Sequence, residues 1–156
     1  MVINVAELLG EGVIELSLKA ASKEEAIKVL AGKLAAKDAL TDAKGFLAAV
    51  LEREASQPTG IGSGVAIPHA RTDAVSSIVV GLGRFPGGVD FGALDGKPAT
   101  LIVMIGTPKA MLGTYLKMLA RLTRLLKDAK FRQALTQAQT PGEVIAAFKE
   151  AERKTA

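Results

Sequence analysis

The chain has 156 residues, with 20 basic and 16 acidic side chains, a single histidine and no cysteine. That length fits one compact domain over residues 1–156, and 49% hydrophobic against 23% charged residues is the balance of a folded globular protein, not of a disordered one. Without cysteine there is no disulfide framework and no thiolate chemistry, and one histidine cannot build a multi-histidine metal centre, so metal-centred mechanisms drop out.

The segment from Met1 to Gly12 contains Glu7 and Glu11 and lacks both a basic n-region and a long apolar run, so no signal peptide is expected there. Val13 to Lys19 alternates Ile14, Leu16 and Leu18 with Glu15, Ser17 and Lys19, the period of a half-buried strand. Ser22 and Glu25 have capping-box spacing, and Ala26, Ile27, Leu30 and Leu34 then recur at helical intervals, predicting a helix to about Lys37. A second helix buries Phe46, Leu47, Val50 and Leu51 and ends near Ala55. Gln57 to Gly64 is so rich in glycine and proline that it reads as a loop without regular structure. It leads into the short strand Val65 to Ile67, then Pro68 and His69.

Ser77 to Leu82 and Thr100 to Ile105 read as further strands, the second so uniformly apolar that both its faces should be covered. Between them Pro86-Gly87-Gly88 and Leu94-Asp95-Gly96-Lys97 read as turns. Beyond Pro108 an amphipathic helix carries Leu116, Leu119, Leu122 and Leu126 on one stripe. Thr140-Pro141-Gly142-Glu143 opens a last helix that buries Val144, Ile145 and Phe148, with Arg153 to Ala156 expected to fray. Helices and strands mixed along one chain predict an α/β layered domain. Leu101 to Ile105, the longest strongly apolar stretch, is far too short to cross a bilayer, and the chain is expected to be cytoplasmic.

A formal net charge of +4 raises the question of nucleic acid. Basic and acidic residues alternate along the helices, there is no tryptophan and only one tyrosine, so a solvated surface is the reading and no nucleic-acid partner is expected.

His69 is the one side chain whose ordinary pKa, about 6.5, makes it a neutral nucleophile near pH 7. An imidazole nitrogen can take a phosphoryl group and later release it. A histidine that only fills a turn is the competing reading of the same position. Gly60, Gly62 and Gly64 either let backbone amides face an anion or serve a tight turn, and their spacing matches neither common nucleotide-binding pattern. Arg53 and Arg71 bracket the loop, and guanidinium groups bind phosphoryl oxygens; each can equally be a solvated surface arginine.

The run Thr59-Gly60-Ile61-Gly62-Ser63-Gly64-Val65-Ala66-Ile67-Pro68-His69-Ala70 resembles the phosphorylation-site motif of the fructose/mannitol/nitrogen-regulatory class of phosphotransferase IIA proteins. Leu51-Glu52-Arg53-Glu54, Gly88-Val89-Asp90-Phe91, Leu94-Asp95-Gly96-Lys97-Pro98 and Tyr115-Leu116-Lys117 extend the similarity to the fructose-type branch, over about Val13 to Phe148. The resemblance implies a three-layer α/β/α fold on a small mixed sheet. It implies that His69 accepts phosphate from phospho-HPr or a paralogue and passes it to a IIB component of a sugar permease, with no metal or organic cofactor. Any association with the membrane would then run only through those partners. By the same resemblance Arg53 is the phosphate-side cation, while Thr59, Gly60, Gly62, Ser63 and Gly64 give backbone support. Two positions depart from the family pattern: Tyr115 stands where a second histidine is usual, as a phosphate-supporting residue that can still donate a hydrogen bond to a phosphoryl oxygen but carries no positive charge, and Pro58 where serine is more common. A nitrogen-type regulatory protein, whose phosphorylation state controls binding to targets, is the alternative that the same resemblance leaves open.

Overall fold

A computed structural model describes residues 4–155. The first element is a short helix, α1 (Val5–Gly10), which sequence periodicity did not predict, followed by β1 (Val13–Glu15). The strand is shorter than its alternation suggested, because pairing with its neighbour stops after Glu15. Helix α2 (Lys23–Leu34) starts where Ser22 caps the amide of Glu25, and Glu25 reaches back to the amide of Ala21, a variant of the predicted capping box. Asp42 caps α3 (Ala43–Ser56) in the same manner, through the amide of Gly45.

The segment expected to be an irregular loop is instead half of a hairpin, β2 (Gly60–Gly62) against β3 (Val65–Ala66). The turn between them needs three successive residues at positive φ: 86° at Gly62, 57° at Ser63 and 80° at Gly64. Glycines on either side make that path accessible. After Pro68 comes β4 (His69–Arg71), then β5 (Val79–Val89) and β6 (Ala99–Thr107). The expected turn at Pro86-Gly87-Gly88 lies inside β5. There the register with β6 shifts between Arg84 and Val89, so the strand absorbs the proline and the positive φ of Gly88 as an irregularity.

The sheet runs β1-β5-β6-β3-β2, with β4 paired to β6 beyond β3. It is mixed: β5 is antiparallel to β6, whereas β3 and β4 are parallel to it. Strand β6 is central and covered on both faces, as its uniform apolarity requires. Leu101, Val103 and Ile105 enter one core with α1 and the C-terminal helices, while Ile102 and Met104 enter the other with α2 and α3. Full burial of each such side chain contributes about 1.5–3 kcal/mol.

Three helices complete the chain: α4 (Leu112–Leu126), α5 (Ala129–Gln137), which the pattern did not reveal, and α6 (Pro141–Thr155). Thr140 and Glu143 form the predicted cap, and α6 continues through Thr155 where fraying was expected. On α4 the buried residues are Met118, Leu122, Leu125 and Leu126, whereas Leu116 is exposed. The helix is therefore rotated from the expected stripe. Glu152 of α6, buried, accepts the amides of Val5 and Ala6 at 2.9 Å each and pairs with Arg121 of α4, binding α1 to the helical layer. The architecture is α/β/α in three layers.

Candidate functional site

The site starts from the way two short strands share one edge of β6. β3 pairs with Leu101 and Ile102, and β4 with Ile105 to Thr107. Pro68 separates them; it has no N–H to donate, but its carbonyl accepts the amide of Ile105 and keeps the ladder continuous. His69 is thereby fixed as the first residue of β4, opposite Ile105, on the sheet face that packs against α4.

His69 is 6% exposed, and its Nδ1 lies 2.6 Å from the carbonyl oxygen of Ile67. A carbonyl can only accept, so Nδ1 carries the hydrogen and Nε2 keeps its lone pair. Burial pulls the imidazole below its ordinary pKa; the bond to Ile67 opposes this, the Arg53 cation adds to it, and the Glu54 carboxylate opposes it. The outcome is a neutral ring with one defined nucleophilic nitrogen.

The Ile67 carbonyl is itself positioned. The amide of Ile67 donates to the carbonyl of Thr59, and both the amide and the hydroxyl of Thr59 donate to Glu54, a buried carboxylate that also pairs with Lys23 at 3.5 Å. Glu54 thus anchors the hairpin that orients His69. Sequence reasoning missed this residue as part of the site, and the only signal for it was its place in the block Leu51-Glu52-Arg53-Glu54.

Arg53, in the last turn of α3, donates to the carbonyl of Gln57 at 2.9 Å and lines the same cavity of about 210 Å³ as His69, Thr59 and Ile61. A Cβ at Gly106 of β6 would lie 2.6 Å from the ring of Phe46. Only glycine lets α3 approach this closely, and that approach carries Arg53 to the histidine. Tyr115, in the first turn of α4, places its ring centroid 5.5 Å from that of His69, at 57°. Its phenol is raised above the ordinary range by burial, against the pull of the Arg53 and Arg71 cations. Arg71 does not line the His69 cavity, and its guanidinium donates to the carbonyl of Lys109 at 2.7 Å.

The structure brings His69, Arg53, Thr59 and Tyr115 together, but divides the glycine run. Gly60 lies opposite Ala66 and within close approach of Phe91, next to the site. The tip, Gly62-Ser63-Gly64, is turned toward the other end of β6. The Ser63 amide donates to Asp95 at 2.8 Å, and the Gly64 carbonyl accepts from Thr100 and Leu101. Since Val65 pairs with Leu101 and His69 with Ile105, the tip is roughly 13 Å from the histidine at about 3.3 Å per residue. The amides of Thr59 and Ser63 are engaged by carboxylates, so these two are not free donors for a bound anion.

A basic side chain and a neutral imidazole with a free nitrogen on one cavity, with a phenol ring beside the imidazole, can hold and exchange an oxyanion-bearing group. Residues 7–151 match the family described as phosphoenolpyruvate-dependent sugar phosphotransferase system, EIIA 2. A fructose-specific EIIABC component from Bacillus subtilis is 36% identical over 142 residues, covering 91% of this chain and 22% of that one. The chain thus spans about a fifth of that relative. A fructose-specific EIIA component from Haloferax volcanii is 40% identical over 136 residues, covering 85% of this chain and 88% of the relative. Among solved structures, the nitrogen regulatory protein IIA-Ntr from Neisseria meningitidis superposes with a TM-score of 0.81 at 27% identity, covering 92% of this chain and 98% of that one.

Proposed function

The chain belongs to the EIIA 2 family of the phosphoenolpyruvate-dependent sugar phosphotransferase system, and from that premise we propose that it is a histidine phosphocarrier of the fructose type. His69 Nε2 attacks the phosphorus of a phosphohistidine on an HPr-like donor; the N–P bond of the donor breaks as the new one forms, and the donor imidazole leaves. The same nitrogen is the leaving group when a IIB component takes the phosphoryl group onward. The name of the Bacillus relative, which joins A, B and C components, supports a IIB acceptor.

The observation that carries this reading is the Nδ1–Ile67 hydrogen bond, which leaves one unprotonated nitrogen beside the Arg53 cation. Arg53 neutralises the phosphoryl oxygens, and Tyr115 offers them a neutral hydrogen bond. Positioning and charge neutralisation supply most of the catalysis in such exchanges. Among the described residues no helix is long and apolar enough to cross a membrane, which supports a cytoplasmic carrier that meets the membrane only through its permease.

The nitrogen-regulatory likeness favours a second role, in which phosphorylation of the same histidine controls binding to a target. One experiment tests the carrier reading and separates the two. The chain is phosphorylated from phosphoenolpyruvate through enzyme I and HPr, and a fructose-type IIB component is then added. Label on His69 that moves to IIB supports the carrier. Label that stays on His69 supports regulation, and an unlabelled chain overturns both.

A further inference from the structure

Sharing Arg53 with the His69 cavity is a second, larger cleft of about 590 Å³, lined by Arg53, Arg71, Lys109, Glu52 and Tyr115 and not by His69. Its volume falls within the range of small-molecule sites. Three cations against one carboxylate leave it two positive charges in excess, equal and opposite to the charge of a phosphate monoester dianion.

The two guanidinium groups are set in place before any ligand arrives. Arg53 is tied to the Gln57 carbonyl and hydrogen-bonds the Tyr115 phenol, and Arg71 is tied to the Lys109 carbonyl, which still leaves N–H groups on both guanidiniums to meet an anion. Among the described residues neither arginine has a carboxylate partner within 4.0 Å. Preorganised, charge-uncompensated guanidinium groups on one cleft are the arrangement that binds phosphate with a planar fork of donors. Glu52 and the Tyr115 phenol add groups that can hydrogen-bond hydroxyls.

We propose that this cleft binds a small polyhydroxylated phosphate monoester, a sugar phosphate, and that because Arg53 faces both cavities, its occupancy competes with phosphoryl transfer at His69. The binding stands on the cleft alone; the competition rests on the carrier reading above. A phosphorylated product of the transported substrate would by this route slow the charging of its own carrier.

The test is a titration of the ¹⁵N-labelled full chain with inorganic phosphate, fructose monophosphate and fructose, at constant ionic strength held with sodium chloride. The expected result is saturable amide shifts at Arg71, Thr72 and Lys109 with the monophosphate, weaker ones with phosphate and none with fructose. The double variant Arg71→Gln/Lys109→Gln should bind the monophosphate at least about tenfold more weakly, the loss of a charge-assisted contact. Both residues are exposed, and circular dichroism together with the single variant Lys109→Gln, expected to show an intermediate loss, guards against misfolding. Binding should persist in His69→Ala. Shifts lost in His69→Ala, equal affinity in the double variant, or shifts reproduced by chloride would each overturn the site. If binding holds but saturating monophosphate leaves the rate of His69 phosphorylation unchanged, the competition is overturned; a chain that binds and is never phosphorylated overturns the carrier reading instead.

Discussion

The imidazole Nδ1 of His69 lies 2.6 Å from the carbonyl oxygen of Ile67, two residues upstream in the same chain. This contact decides which nitrogen is available. The phosphoryl group should therefore be found on Nε2 alone, as an acid-labile phosphoramidate, and His69→Ala should abolish it. The variant leaves the buried Ile67 carbonyl without its partner, at a cost of about 1–3 kcal/mol. Two-dimensional ¹H–¹⁵N correlation of the phosphorylated imidazole would identify the atom, and label on Nδ1 would contradict the assignment.

The depressed pKa of His69 has a direction in pH. Because burial favours the neutral ring in the folded state, the unfolded chain binds the proton more readily, so stability is complete above the unfolded value of about 6.5 and declines as pH falls through it toward the folded value. The decline is at most about 1.4 kcal/mol per pH unit for one group. By the same shift the phosphorylation rate should hold steady through pH 6.5 and fall only below it. Urea unfolding of the parent and of His69→Gln between pH 5 and 8, with rates over the same range, would check both; a parental rate already halved at pH 6.5 would show the shift to be absent.

Arg53 touches the His69 cavity and Arg71 does not. Arg53→Ala should slow phosphorylation by roughly 10- to 1,000-fold, on the order of losing one charged donor to a transition-state oxyanion, and Arg71→Ala by much less. Single-turnover transfer from phospho-HPr measures this directly. Equal rates in the two variants would mean that the cation has been wrongly placed.

The ring of Tyr115 faces that of His69 at 5.5 Å, but a phenol brings no positive charge. Tyr115→Phe should cost about 0.5–1.5 kcal/mol of transition-state stabilisation, one neutral hydrogen bond. Tyr115→His should match or exceed the parent at low pH, where imidazolium adds charge assistance, and lose the advantage as pH rises above about 6.5. Transfer rates from pH 5.5 to 8 in all three proteins are the measurement. If Phe equals the parent throughout and His shows no pH-dependent gain, Tyr115 only packs.

Glu54 holds Thr59 through two hydrogen bonds from within the protein. Glu54→Gln keeps the shape but removes the charge that Lys23 and the Thr59 hydroxyl address, and should destabilise by about 1–3 kcal/mol. If Glu54 also orients His69 through Thr59 and Ile67, the imidazole ¹⁵N shifts should report a weakened Nδ1–H bond in the folded variant. Unchanged ring shifts would confine Glu54 to a structural role.

Much of this protein was written locally. Ser22, Asp42 and Thr140 cap their helices through side-chain contacts three residues ahead, and the unbroken apolarity of β6 reflects burial on both faces. Such signals are short in range, so one sequence carries them. The motif that carries His69 and the block around Arg53 singled out two residues that the fold places on one cavity. What the chain could not declare were relations between distant segments. Helix α1 is held by Glu152, which is nearly the whole chain away, and α5 offers too short a pattern to stand out. The glycine run reads as an irregular loop until β3 supplies a partner and Asp95 and Glu54 accept the amides of Ser63 and Thr59. Leu116 fits the apolar stripe of α4 by spacing but is exposed, because the sheet that α4 packs on selects Met118 and Leu125 instead. The sequence by itself determined helices α2, α3, α4 and α6, the central strand and the candidate histidine. Only the tertiary structure decided which nitrogen of that histidine is free and which cations face it, because those depend on β3 and β4 sharing one edge of β6 and on α3 and α4 converging from opposite faces of the sheet.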